Sequence, residues 1–203
     1  MSNFVTVSTG NSKLGPAIPS INLPAGTTCN PNAPCFKGCY ATRGRFLYPN
    51  AKNSQMGNLN AYLENPQQYF EDIAYRTRLS LFVRWHSSGD IIDERYLEGM
   101  CWVARQNPNT QYLAFTKQFE IVNNYKANKH RIPRNLHIVF SSWKDWVPEN
   151  PYKFPTSWVY FPKDVDNTNQ HIPANAVVCP NNCAKCQRCW SLGKGESVQF
   201  KKH

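Results

Sequence analysis

The sequence predicts a single-domain α/β protein over residues 1–203, built as a partial barrel or a mostly parallel sheet with long irregular N- and C-terminal segments. Three observations predict it. The length suits one domain with a core of its own rather than two. The composition, 41% hydrophobic and 18% charged, belongs to a folded globular chain and not to a disordered one. Through the middle of the chain, short apolar runs alternate with amphipathic stretches, the pattern of parallel strands joined by right-handed crossovers.

The elements follow in order. Pro16, Pro19, Pro24, Pro31 and Pro34 exclude long helices from residues 1–50, leaving one short alternating strand at Phe4–Thr9. Regular structure is expected from near Met56. Pro66 opens a helix to Arg78 that sets Tyr69, Phe70, Ile73 and Ala74 on one face. Ser80–Trp85 is an apolar run suited to a buried strand, followed by the polar loop His86–Asp90. Asp93 can cap a helix to Gln106 whose inner stripe includes Met100, Cys101 and Ala104. Strand Gln111–Phe115, helix Phe119–Lys126 and strands Leu136–Ser142, Ser157–Phe161 and Ala176–Val178 complete the series. Val147–Pro173 reads as an ordered surface excursion, and there is no internal repeat. Trp85, Trp143 and Trp190 are assigned to the core.

The cysteines carry the chemistry. Of eight, Cys29, Cys35 and Cys39 form one group, Cys179, Cys183, Cys186 and Cys189 another, and Cys101 stands alone as a small buried hydrophobe. The start, MSNFVTVSTGNSK, has neither the basic nor the apolar region of a secretory signal, and no apolar run reaches membrane-helix length. A cytoplasmic protein, with no membrane association, is therefore expected, and in a reducing compartment clustered thiols bind metal more often than they pair. Three thiols at C-x2-C-x2-C within the second group suit corners of a 4Fe–4S cube, whereas structural zinc favours two separated C-x2-C knuckles. A 4Fe–4S cluster, one or two per chain, is expected over zinc, with all seven clustered cysteines as ligands. The formal charge of +10 attracts anions, but its densest groups, Lys126–Arg134 and Lys201–His203, read as a solvated connection and a tail, and no nucleic-acid-binding module accompanies them.

Four blocks, LPAGTTC with APCFKGCYA, FVRWHSSGD, YLAFTK with NLHIVFSSW, and CPNNCAKCQRCW, run in that order over most of the chain. In these blocks the sequence resembles the phage "gene product 88" family of iron–sulfur proteins, distantly similar to radical-SAM-type barrels. The resemblance implies a phage or prophage origin, hence a host cytoplasm, together with a 4Fe–4S cluster and a shortened TIM-like barrel. The spacing C-x5-C-x3-C departs from the C-x3-C-x2-C of most radical-SAM enzymes, and a glycine-rich GGE-type stretch is missing.

The loop after strand Ser80–Trp85 lies where barrel enzymes project catalytic groups. His86 as base, Ser87 or Ser88 as nucleophile and Asp90 as orienting carboxylate provide the residue types of acyl transfer, with partners drawn from Thr116, Lys117, Ser141, Ser142 or Asp145. Tyr40 and Arg43, beside Arg45, are expected to line the same cavity and touch the cofactor. The leading expectation is a monomeric hydrolase, esterase-like and acting on a small ester, with the cluster structural or Lewis-acidic. A radical-SAM-like redox enzyme and a non-catalytic iron–sulfur protein that binds nucleic acid are the alternatives.

Overall fold

The strands β1 (Val7–Ser8), β2 (Ser20–Ile21), β3 (Phe82–Trp85), β4 (Gln111–Thr116), β5 (Leu136–Ser142), β6 (Thr156–Tyr160), β7 (Val177–Val178) and β8 (Ser197–Lys201) make one sheet ordered β1-β2-β3-β4-β5-β6-β8-β7. The computed structural model describes residues 5–9, 11–161 and 169–202. Phe4 of the expected first strand, residues 162–168 of the expected excursion and His203 of the tail lie outside these. Among the strand pairings of the described residues, β1–β2 alone is antiparallel.

Of the two architectures expected, the sheet is the one found: it is open and does not close into a barrel. Closure needs full-length strands at both ends to complete the ladder. Here β1 and β7, the two edges, have two residues each, and β1 runs against its neighbour.

The crossovers are α1 (Pro49–Glu64), α2 (Pro66–Thr77), α3 (Glu94–Gln106) and α4 (Phe119–Ala127), with a one-turn α5 (Cys183–Cys186) near the end. Asn65 and Asp93 cap α2 and α3 by accepting from the backbone N–H of Gln68 and Tyr96. α1 begins earlier than the onset expected near Met56 because Pro49 starts it at the first helical position. β2 and β8 were not expected: β2 is two residues long, and β8 is written SVQFK.

Strand alternation divides the sheet into two faces. Val83, Trp85, Tyr112, Ala114, Ile138 and Phe140 pack under the helices with Tyr69, Ile73, Leu97 and Val122. Phe82, Leu113, Phe115, Val139 and Val198 face the other way, where Leu14, Ile18, Trp190 and Leu192 of the terminal segments cover them. The core therefore lies mainly on the helical face, and the irregular ends of the chain form the lid of the opposite one. Trp85 and Trp190 are buried as expected, whereas Trp143 is half-buried. No helix among the described residues is long and apolar enough to cross a membrane.

Candidate functional site

A cavity of about 570 Å³ opens on the lidded face, where the parallel strands end. Its lining includes Cys29, Cys35 and Cys39 of the first group and Cys179, Cys183 and Cys189 of the second. Its floor is the strand face carrying Arg84, Phe115, Ser141, Ser157 and Phe200. Groups separated by the whole α/β body in sequence thus share one chamber. Cys186 is exposed and outside the lining, and Cys101 is buried on the helical face.

The first thiol loop is tied to the loop after β3 at four points. Leu23 N–H donates to the Ser88 carbonyl at 3.0 Å, Asp90 N–H to Thr28 Oγ1 at 3.2 Å, Tyr40 Oη to the Ser87 carbonyl at 2.6 Å, and Ser87 N–H to Asn22 Oδ1 at 2.9 Å. Within the loop, short turns over Phe36–Gly38 and Tyr40–Thr42 space Cys35 and Cys39, and buried Ala33 and Ala41 anchor them. Prolines keep the segment from forming a longer helix.

The second group is held from three directions. Cys183 N–H donates to the Lys13 carbonyl and Cys179 N–H to the Gln199 carbonyl, both at 2.9 Å. Asn182 caps the turn of α5, and Gln187 ends it in the left-handed region at φ 53°. Trp190 roots the segment in the sheet, edge-on to Phe82.

All seven clustered thiols are free. Burial pushes the Cys29 thiol up to about 11 and Cys189 to about 12, and raises Cys35 and Cys183 as well. Lys117 opposes the rise at Cys35, and Lys13 and Arg84 oppose it at Cys183. Cys29 feels Cys39 and Cys35, while Cys189 feels Cys179, Cys183 and Cys186. Among the described residues no three His, Cys, Asp or Glu side chains surround a single metal-ion position. A four-iron cube places its thiolates at its corners, farther apart than ligands of one ion. The first group offers three thiol donors and the second four.

The expected catalytic set is gathered at the cavity but its members do not engage one another as acyl transfer requires. His86 is buried at φ 59°, with Nε2 at 3.2 Å from Tyr96 Oη and Nδ1 without a partner. Burial, with Arg84 adding repulsion, lowers its pKa to about 3, so the imidazole is neutral. Ser88 Oγ donates to Gln55 Oε1 at 3.4 Å, and Ser87 is engaged through its backbone. Asp90 accepts from Thr116 Oγ1 at 2.6 Å, from Ile91 N–H at 2.8 Å and from Lys117 N–H at 2.9 Å, away from the imidazole. Burial raises its pKa despite those bonds. Asp90 is therefore a brace between β3 and β4.

Tyr40 lines the cavity as expected, but Arg43 is exposed and outside the lining, as is Arg45. Asp145 is also outside it, while Thr116 supports Asp90 and Lys117, Ser141 and Ser142 border the chamber. Sequence reasoning missed Arg84. The signal was present: one charged residue inside the apolar run SLFVRW, on the alternate position from Val83 and Trp85.

A family model, Gene product 88, matches residues 5–192 of the chain. No curated protein and no solved structure matches it.

Proposed function

The chain belongs to the Gene product 88 family, and we propose that it is an iron–sulfur protein with two 4Fe–4S centres beside a small-molecule cavity. Cys29, Cys35 and Cys39 would hold one centre with a corner free, and Cys179, Cys183, Cys186 and Cys189 the other with all corners filled. The observation that carries this reading is the convergence of six free thiols, from two separate groups in the sequence, on one chamber. When bound, such centres supply one-electron transfer and, at an open corner, a Lewis-acidic iron.

The chain's own residues prepare the chamber. Burial keeps Cys29, Cys35, Cys183 and Cys189 protonated until iron displaces their protons, which couples loading to proton release. Tyr40 fixes the first thiol loop to the Ser87 carbonyl, and Asp90 fixes the end of β3 to Thr116 and Lys117. Ser141 and Ser157, with hydroxyls 3.3 Å apart, offer polar anchors for a substrate on a floor otherwise lined by Phe115, Val159 and Phe200.

This reading favours redox chemistry over ester hydrolysis. The acyl transfer expected of a serine with an imidazole base needs the two in hydrogen-bond contact, and His86 bonds Tyr96 instead. Nucleic-acid binding has only the net charge behind it.

Anaerobically purified protein should be brown, with broad absorption at about 400 nm and about eight irons per chain. Colourless protein, or protein carrying stoichiometric zinc, would overturn the reading. Turnover of a chromogenic ester that disappears in both His86→Ala and Ser88→Ala would return the hydrolase to first place.

A further inference from the structure

We propose that the chamber takes an organic anion, a carboxylate or phosphate monoester with an aromatic or other apolar body, and that Arg84 and Lys13 receive its charged head. This rests on the small-molecule cavity of the reading above and names the class of molecule that cavity receives.

Alternation along β3 turns Val83 and Trp85 to the helical core and Arg84 to the chamber. The guanidinium carbon lies 4.2 Å from the centroid of the Phe115 ring, and Nε donates to the Trp85 carbonyl at 2.9 Å. These two contacts occupy one face of the planar group and one of its donors. The terminal nitrogens, Nη1 and Nη2, have neither a hydrogen-bond partner nor an ion pair among the described residues, and neither is sealed from solvent. They form the fork that a carboxylate or phosphate grips in a bidentate pair.

The same floor brings a second cation close. Phe115 meets Phe200 edge-on with ring centroids 5.4 Å apart, and Lys13 Nζ lies 4.6 Å from the Phe200 centroid. Two positive groups thus stand over two neighbouring rings.

The charge of the lining is one-sided. Lys13, Arg84, Lys117, Lys201 and Lys202 border the chamber, and among the described lining residues Asp90 is the carboxylate. Its Oδ1 accepts from Thr116 and Ile91 and its Oδ2 from the Lys117 N–H, so its oxygens are already engaged. A guanidinium withdrawn from bulk water without a counter-ion is costly, and a bound anion removes that cost. Like charges gathered along a cleft also draw such a molecule in.

The rest of the floor selects the body. Phe115, Val159 and Phe200 are apolar, and the cavity of about 570 Å³ has room for a drug-sized molecule rather than a bare inorganic ion. An inorganic anion would leave the rings uncovered, and a neutral molecule would leave the cations unanswered.

The test is isothermal titration calorimetry of anaerobically purified full-length protein with naphthylacetate, naphthyl phosphate and the neutral naphthylethanol, with iron measured in each sample. At least one anion should bind at one per chain, about 10- to 100-fold tighter than the alcohol, the worth of a charge-assisted hydrogen bond or two. The tighter of the two anions tells carboxylate from phosphate. Arg84→Gln should erase the preference for the anion and Lys13→Gln should reduce it, whereas Lys126→Gln, on α4 and outside the lining, should leave it intact. Equal binding of the alcohol, a folded Arg84→Gln that binds as the wild type does, or a loss in Lys126→Gln equal to that in Arg84→Gln overturns the proposal. If Arg84→Gln does not fold, Arg84→Lys and Lys13→Gln decide: weaker binding of the anion alone supports the site, and unchanged binding in both overturns it. Iron-free wild type that binds the anion upholds this proposal and overturns the two-centre reading; iron-replete wild type that binds neither anion does the reverse.

Discussion

Trp190 donates its indole N–H to the Val83 carbonyl at 3.1 Å, across 107 residues of sequence. The bond joins the second cysteine group to the strand that carries Arg84. Trp190→Phe keeps most of the ring's packing but strands a buried acceptor, and should cost about 1–3 kcal/mol. Trp190→Ala also opens a cavity beside Phe82 and Val198 and should cost about 3–5 kcal/mol. Urea denaturation of both variants checks the order; a loss under about 0.5 kcal/mol in Trp190→Ala would show that the segment does not depend on this anchor.

Gly89 and Gly26 separate strain from collision. Both have positive φ, +82° and +83°. A Cβ at Gly89 would stand 2.6 Å from Leu23 Cβ and 2.8 Å from both the Leu23 carbonyl oxygen and Thr28 Oγ1, whereas at Gly26 it meets nothing within 4 Å. Gly26→Ala should therefore cost about 1 kcal/mol, and Gly89→Ala more than about 3 kcal/mol, with displacement of the first thiol loop. Equal thermal melts for the two variants would refute the difference.

His86 makes stability depend on acid in a defined window. Its folded-state pKa, about 3, lies below the ordinary value of 6.5. Above the ordinary value neither state holds the proton and the residue contributes nothing to pH dependence. As pH falls from about 6.5 toward 3 the unfolded chain takes up a proton that the native chain refuses, and stability drops by up to roughly 4 kcal/mol. His86→Asn, which tolerates the left-handed backbone, should remove that part of the slope. Unfolding free energies of both proteins at pH 7, 5.5 and 4 are the measurement; parallel curves would mean that the imidazole titrates normally.

The two cysteine groups should lose iron independently. Cys35→Ala should lower the content from about eight to about four irons per chain, and so should Cys183→Ala. If both groups ligated one cluster, either replacement would remove all the iron. The outcome decides between one centre and two.

Much of the fold was legible because helical and strand periods are written plainly in the middle of the chain. α3, capped by Asp93 and striped with Leu97, Met100 and Val103, and β4, with Tyr112 and Ala114 against Leu113 and Phe115, follow those periods. α1 was blurred because its buried face uses polar residues. Asn58 donates to the Thr6 and Asn22 carbonyls, and Gln55 receives Ser88 Oγ, so the apolar stripe is interrupted where the helix meets the site. β2 was hidden by its two-residue length, and β8, SVQFK, by having just Val198 and Phe200 as apolar residues. At the site, spacing alone marked both cysteine groups. The roles of His86 and Asp90 were not legible, because they depend on partners, Tyr96 and Thr116, that only the tertiary fold supplies.

The two-residue edges of the sheet bear on how the protein behaves among its own copies. A long parallel sheet with free borders is a template on which another chain can lay a strand, the usual route to edge-to-edge aggregation. β1 and β7 expose too few unpaired backbone groups to seed such an addition, and the long strands β4 and β5 lie in the interior of the sheet. A chain made in quantity can thus keep its hydrogen-bonding borders blunt while the cavity lies on a face of the sheet and not along its edges.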